Sequence, residues 1–152
     1  MRKLSFLIFI VLLMSGCKPD VENSLIPDYR VYLKVKYSDY VQLLNVGTFK
    51  TYTEHSDVYP INTFLGYGGL IVFRDFDGKL GCCDLACPYC YDLERTQHLL
   101  TVNTSLLATC HHCNTVYNLQ WGLCVPIEGP SKVKLKIYPH CKDTGSSIIV
   151  SY

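Results

Sequence analysis

Two short stretches, each carrying a pair of cysteines, decide the fold: residues 85–92, LACPYCYD, and residues 108–122, ATCHHCNTVYNLQWG. Nineteen residues separate the two pairs, whose members are Cys87, Cys90, Cys110 and Cys113. Two residues between cysteines allow one tight turn to direct both sulfurs toward the same point. Each pair also follows a short apolar stretch typical of a strand, so both turns are expected at one edge of a sheet. The spacing therefore predicts that four sulfurs converge.

Four converging thiolates suit more than one kind of site. They form the ligand set of a tetrahedral zinc ion, and they are also the outer ligands of an iron–sulfur cluster. In an exported protein the same cysteines could instead pair as disulfides. The sequence leaves these three alternatives open.

Thiol–disulfide exchange is the enzymatic alternative, because Cys-x-x-Cys is a dithiol redox motif. That motif usually lies at a helix N-terminus, where the helix dipole lowers the thiol pKa. Neither pair is followed by a helical pattern, although residues 91–100 could form a brief helical turn. We therefore expect no activity of this kind.

The rest of the chain predicts an all-β fold. Residues 29–37, YRVYLKVKY, alternate between apolar and polar side chains, as in a half-buried strand. Residues 66–86 contain two apolar runs around an Asp-Gly turn, which indicates a hairpin. Further strands are expected in residues 106–110, 133–138 and 147–152, the last two joined by a turn at 139–146. Short strands separated by turn residues favour a single antiparallel β sandwich or barrel.

The N-terminus predicts export and lipidation. A basic start, a short apolar run and small residues make residues 1–16 a secretion signal ending before Cys17. The small residues before this cysteine resemble a bacterial lipobox, so Cys17 is the expected lipidation site and residues 17–27 a tether. The single domain would span residues 28–152, attached to a membrane of the bacterial cell envelope. The formal net charge of +1 suggests no nucleic-acid partner.

The cysteine loops resemble those of the Rieske iron–sulfur family over roughly residues 69–152. Cys87-Pro88 matches the start of the first family loop, and Cys110 matches the second cysteine. Residues 116–118, Val-Tyr-Asn, occupy the aromatic-Asp segment, and residues 135–138 the closing strand. The resemblance implies a Rieske-like antiparallel β domain with two metal-binding loops, its cluster-binding part at about residues 82–126.

The sequence departs from the family at both histidine ligands. Tyr89 stands where the family has its first histidine, Cys113 where it has its second, and Asn114 replaces the following glycine. A Cys2His2 centre at the family positions is therefore excluded. The resemblance then implies a 2Fe-2S cluster on Cys87, Cys90, Cys110 and Cys113, or alternatively a structural zinc ion on the same residues. His112 is a possible substitute ligand, although an exposed loop tip is expected for it.

The other cysteines and the aromatic residues near the loops are expected to have structural roles. Cys82 and Cys83 are adjacent on a strand and should point to opposite faces. Cys124 and Cys141 could pair with each other. Aromatic side chains are expected to pack around the loops and shield them from water: Tyr89, Tyr91, Tyr117 and Trp121.

No catalytic constellation can be recognised in the sequence. We therefore expect an electron carrier with an unknown redox protein as partner, or else a binding or structural module in which the site joins two loops.

Overall fold

A computed structural model describes residues 21–54 and 62–152 of this chain, so the predicted signal sequence and Cys17 lie outside the described residues. The described part consists mostly of antiparallel β sheets with one α-helix, which confirms the predicted fold class. Its helices are α1 (Pro88–Glu94) and a short 3-10 helix (Val41–Leu44). Its strands are β1 (Val31–Lys36), β2 (Thr48–Tyr52), β3 (Phe64–Leu65), β4 (Leu70–Arg74), β5 (Leu80–Asp84), β6 (Thr101–Val102), β7 (Leu107–Thr109), β8 (Val116–Asn118), β9 (Val125–Glu128), β10 (His140–Asp143) and β11 (Ser147–Ser151).

The described strands form three sheets. One has the order β10-β11-β1-β3, the second β2-β4-β5, and the third β6-β7-β8-β9. Strand β1 shows the predicted alternation, because Val31, Leu33 and Val35 are buried while Lys34 and Lys36 are exposed. Among the described residues, no helix is both long enough and apolar enough to cross a bilayer.

Strand β5 lies between two hydrophobic cores. Cys83 packs into one core with Leu85, whereas Cys82 packs into the other, as the alternation of a strand predicts. The first core contains the cysteine loops and Tyr117. The second core lies under β1 and β11. Both cores therefore depend on the placement of one strand.

Asp84, the last residue of β5, fixes the chain just before the first cysteine pair. Its Oδ1 accepts hydrogen bonds from the Gly68 and Ala86 backbone amides at 3.0 and 2.8 Å. Its Oδ2 accepts from the Tyr67 amide at 2.9 Å and from the Tyr138 hydroxyl at 2.7 Å. The carboxyl is buried, and these four donors satisfy it. They join three separate segments of the chain at the start of the first loop.

The C-terminal third differs from the sequence-based expectation in two places. The predicted strand at 133–138 is extended but makes only isolated bridges, from Val133 to Glu22 and from Ile137 to Cys83. Because its backbone pairs with different segments in turn, it does not join one ladder. The bridge to Glu22 also places part of the predicted tether against the domain.

The predicted turn at 139–146 contains a strand. The turn is confined to three residues after Asp143, whose carboxylate accepts a hydrogen bond from the Gly145 amide at 2.8 Å. This hydrogen bond joins residues two positions apart and so closes the turn locally. The residues before it are then free to pair with β11 as β10.

Candidate metal centre

The first cysteine pair lies at the beginning of α1. Pro88 occupies the first helical turn, where its missing amide and fixed φ are tolerated, and it restricts Cys87 to an extended conformation. The Tyr91 amide donates to the Cys87 carbonyl at 3.1 Å and closes the first turn. Residues three apart lie on one helix face, so Cys87 and Cys90 present their sulfurs on the same side.

The helix at this position corrects the sequence-based expectation that no helix follows a cysteine pair. It begins at Pro88, earlier than the helical turn suggested for residues 91–100. It does not produce an activated thiol at Cys87. Burial raises the pKa of Cys87 to about 11, although hydrogen bonds from the Cys90 backbone and the Tyr117 hydroxyl lower it in part. Reactive dithiol chemistry requires the opposite shift.

The second cysteine pair lies in the hairpin between β7 and β8. The Asn114 amide donates to the Cys110 carbonyl at 2.8 Å, and the Cys110 amide donates to the Thr115 carbonyl at 2.9 Å. Asn114 adopts a left-handed conformation with φ 59°, which asparagine tolerates better than most residues. The turn is tight enough to direct both sulfurs of this pair toward α1.

A glycine packs closely behind the second loop. Gly129 has a φ of +90°, and a Cβ built on it would lie 2.6 Å from Thr115 Cα and 2.8 Å from the Asn114 carbonyl oxygen. Only a residue without a side chain permits β9 to approach the backbone of the loop so closely. The hairpin that carries Cys110 and Cys113 is held in place by this contact.

We expect Gly129→Ala to destabilise the domain more than Gly145→Ala does. Gly145 also has a positive φ, +82°, but a Cβ there would meet nothing within 4 Å. The conformational strain is therefore similar in both variants. The steric overlap occurs at Gly129 alone and adds about 1–3 kcal/mol to the loss of unfolding free energy there. Urea unfolding of both variants measures the difference. Equal losses of stability would show that the close contact is not required.

The four sulfurs converge as the spacing predicts. Cys90 Sγ lies 3.6 Å from Cys110 Sγ, and Cys87 Sγ lies 3.7 Å from Cys113 Sγ, each pair joining one loop to the other. All four sulfurs lie within 4.8 Å of one another. Every cysteine in the described residues is a free thiol.

The group is closed to solvent on most sides. Cys87, Cys90 and Cys110 are at most 1% exposed, and Cys113 is partly exposed. The Tyr117 hydroxyl lies 3.5 Å from Cys87 Sγ, and the Thr115 hydroxyl lies 3.2 Å from Cys113 Sγ. The Cys113 thiol donates to the Thr115 hydroxyl. If the thiols lose their protons, both hydroxyl groups can donate to thiolates on opposite loops.

The thiols differ in their tendency to ionise. Burial, together with the neighbouring Cys87, raises the pKa of Cys90. Burial also opposes ionisation of Cys113, yet hydrogen bonds from the Thr115 hydroxyl and backbone amide lower its pKa overall. Without a metal, buried thiolates would repel one another, whereas a bound cation would stabilise all four.

The histidines of the second loop lie outside the group of four sulfurs. His111 and His112 are exposed, as expected for a loop tip. His112 Nε2 lies 3.0 Å from Glu94 Oε1, so its ring nitrogen belongs to a different cluster of side chains. No sequence signal pointed to the Glu94 contact, because eighteen positions separate the two residues.

The aromatic residues near the loops differ in how far they are buried. Tyr117 is fully buried beside Cys87, and Tyr89 packs against the same core. Trp121 does not shield the site: it is 54% exposed and contacts Phe76 edge-on, with ring centroids 5.8 Å apart. The predicted shielding role is wrong for Trp121 because the turn after β8 carries its ring outward.

The suggested pairing of Cys124 with Cys141 is also wrong. Cys124 belongs to the core that contains the cysteine loops, whereas Cys141 packs against the other core. Cys83 is the thiol that neighbours Cys124, and burial raises the pKa of Cys83 well above its ordinary value. Burial likewise raises the pKa of Cys82. These thiols are packing residues.

Comparisons with known proteins yield solved structures only. No family model and no curated protein matches the chain. One similar structure is a chain from a "complex of reduced oxygenase and oxidized ferredoxin in carbazole 1,9a-dioxygenase", at 16% identity and a TM-score of 0.48 over 81% of this chain and 94% of that one. Another is a putative NADH-dependent nitrite reductase small subunit from Mycobacterium tuberculosis, at 15% identity and a TM-score of 0.43 over 82% and 97%. Identities and TM-scores this low do not support an argument about function. The function is therefore proposed from the geometry of the four thiols.

Proposed function

We propose that this protein is a metal-binding β domain in which Cys87, Cys90, Cys110 and Cys113 hold a single tetrahedral ion between two loops. The distances between the sulfurs support this proposal. A zinc–sulfur bond of about 2.3 Å in a regular tetrahedron separates the sulfurs by about 3.8 Å. The two cross-loop distances are 3.6 and 3.7 Å, and no pair exceeds 4.8 Å.

Zinc fits this donor set. Four cysteines leave no open position for a substrate, which is typical of a structural zinc site. Such an ion contributes its binding free energy to folding, because the unfolded chain lacks a preformed site. The ion would fix α1 against the β7–β8 hairpin and so hold the two loops in one arrangement.

The metal content of the protein tests this proposal. The full chain is purified anaerobically in detergent, and zinc, iron and acid-labile sulfide are quantified against protein. One zinc per chain that survives dialysis, with no visible absorption band, is the expected result. Stoichiometric iron and sulfide would contradict a zinc site and identify a cluster. Two disulfides without metal would mean that the cysteines hold only one another.

A 2Fe-2S electron carrier is the second candidate, favoured by the resemblance of the loops to the Rieske family. The donor set fits, since four thiolates ligate such a cluster, and bound there it would supply one-electron transfer. The spacing does not fit, because two irons separate the ligand pairs and place sulfurs on different irons farther apart than sulfurs on one ion. The loops would have to stand farther apart than they do.

The reduction potential gives this second candidate a signature of its own. An all-cysteine centre of the plant type has a potential of roughly −400 mV. This lies far below the range of about −150 to +300 mV for Rieske centres, which have histidine ligands. No ligand imidazole is available to lose a proton, so the potential should not change between about pH 6 and 9. A redox protein would then be its partner.

Attachment to the cell envelope through lipidated Cys17 forms part of the proposal. It is supported by the basic start, the short apolar run and the small residues before this cysteine. The intact mass of the protein purified from membranes tests it. Loss of the first 16 residues with a gain of acyl mass on Cys17 is expected, whereas an unmodified N-terminus would contradict it.

Tyr117→Phe is expected to weaken zinc binding while leaving the fold intact. The variant removes the hydroxyl that lies 3.5 Å from Cys87 Sγ but keeps the buried ring. Groups that hydrogen-bond metal ligands typically contribute a factor of about 10–100 in affinity. Competition with a chromophoric chelator measures the change. Tyr32→Phe, at an exposed tyrosine on β1, is the control, and equal affinity in both variants would exclude a role for the Tyr117 hydroxyl.

A further inference from the structure

A second cluster of potential ligands lies outside the four sulfurs. Glu94 is the last residue of α1, His98 follows four positions later, and His112 lies in the second cysteine loop. Their ligand atoms all lie within 4.8 Å of one another. The cluster is on the surface, since Glu94 and His112 are exposed and His98 is half-buried.

The spacing of these atoms matches that of ligands on one metal ion. His112 Nε2 lies 3.0 Å from Glu94 Oε1, and His98 Nε2 lies 3.4 Å from Glu94 Oε2. Nitrogen and oxygen ligands at about 2.0–2.1 Å from an ion, with angles of 90–109°, lie about 2.8–3.4 Å apart. Both imidazoles therefore already stand at ligand spacing from one carboxylate.

The two imidazole rings are arranged in parallel. Their centroids lie 3.8 Å apart with an interplanar angle of 13°, and the Nε2 atom of each ring lies near one oxygen of Glu94. Because the in-plane lone pairs of stacked rings run parallel, binding of one ion by both nitrogens requires the two rings to rotate apart. The second imidazole gives a set of two nitrogens and one carboxylate, which zinc and other late first-row divalent ions favour.

Neighbouring groups hold the ligands in place. The Thr96 hydroxyl donates to Glu94 Oε2 at 3.1 Å, and the His98 carbonyl accepts from the Cys87 amide at 2.8 Å. The carboxylate and the His98 main chain are thus positioned by residues that do not ligate, as in established metal sites. His112 is fixed by the hairpin on which it lies.

We propose that Glu94, His98 and His112 form a second, solvent-accessible site for a late first-row divalent cation. It differs from the four-thiol site in having only three protein ligands, so that water or a small anion completes the coordination. An ion there bridges the segment after α1 and the β7–β8 hairpin from outside. This site does not depend on which group the four cysteines hold.

Nickel(II) titration of the full chain tests the proposal, using protein whose thiol site has first been loaded with zinc and whose zinc content is measured throughout. One further equivalent of nickel should bind by calorimetry without release of zinc. His98→Ala and His112→Ala should each weaken this binding at least about 10-fold, since each removes one of three ligands. His98→Ala leaves the hairpin sequence intact and is therefore the decisive variant.

Two histidines provide matched controls. His111 is the exposed neighbour of His112, and His140 is exposed on β10. His111→Ala and His140→Ala should bind nickel as the unmodified chain does. Absence of a further equivalent, binding only at millimolar nickel, or equal weakening in the control variants would overturn the proposal. Release of one equivalent of zinc for each nickel bound would show that nickel binds at the sulfurs and would likewise overturn the proposal.

Discussion

Cys90→Ser should lower zinc affinity more than about 100-fold. The serine replaces a buried sulfur that lies 3.6 Å from Cys110 Sγ with a hydroxyl that binds zinc poorly. Since even groups outside the ligand set contribute a factor of about 10–100, a ligand should contribute more. At a fixed zinc concentration well above the dissociation constant, a 100-fold weaker affinity corresponds to about 2.7 kcal/mol of unfolding free energy.

Chelator competition and urea unfolding, with and without zinc, measure the effect of Cys90→Ser. The stability that zinc adds is the diagnostic quantity, because replacing this buried core thiol with a hydroxyl also costs about 1–3 kcal/mol in the metal-free form. Cys141→Ser is the matched control, since Cys141 is partly exposed and packs against the other core. Unchanged zinc affinity in Cys90→Ser would mean that Cys90 is not a ligand.

Asp84→Asn should destabilise the domain by about 2–4 kcal/mol. Each carboxylate oxygen accepts two hydrogen bonds, and the two on Oδ2 come from the Tyr67 amide and the Tyr138 hydroxyl. An asparagine places an NH2 group on one side, where it meets donors and leaves buried groups without acceptors. Each unsatisfied buried group costs roughly 1–3 kcal/mol, so two of them account for the expected loss.

Urea unfolding compares this variant with Asp77→Asn. Asp77 is exposed, and its carboxylate makes a 3.8 Å ion pair with Lys79, for which less than about 1 kcal/mol is expected. Because Asp84 orders the chain just before Cys87, its variant should also bind zinc more weakly. A loss of stability no larger than in Asp77→Asn would show that the four hydrogen bonds contribute little.

Local sequence patterns predicted those parts of the fold that local physics determines. The alternation in β1 and the turn between β4 and β5 followed from side-chain period and turn chemistry. The convergence of the cysteines followed from their positions just after strands. The first two features depend on information within about ten residues, whereas the convergence of the cysteines combines two such local patterns that nineteen residues separate.

Other features depend on contacts between distant parts of the chain. The helix α1 has only seven residues, too few to establish a helical period, and Pro88 was the one signal of its start. The role of Asp84 depends on Tyr138, 54 positions away, and nothing in the sequence of β5 marks a buried carboxylate. The cluster of Glu94, His98 and His112 likewise forms only when the two loops meet.

The burial of three of the four thiols would also govern how quickly the proposed ion is exchanged. A chelator cannot approach Cys87, Cys90 or Cys110 directly, and only Cys113 reaches the surface. Exchange must then wait for the β7–β8 hairpin to open locally, an event whose frequency depends on the packing behind it. At high chelator concentration the rate becomes independent of the chelator. When the concentration of free metal changes, the fraction of chains that hold an ion would then change only as fast as the closed hairpin opens.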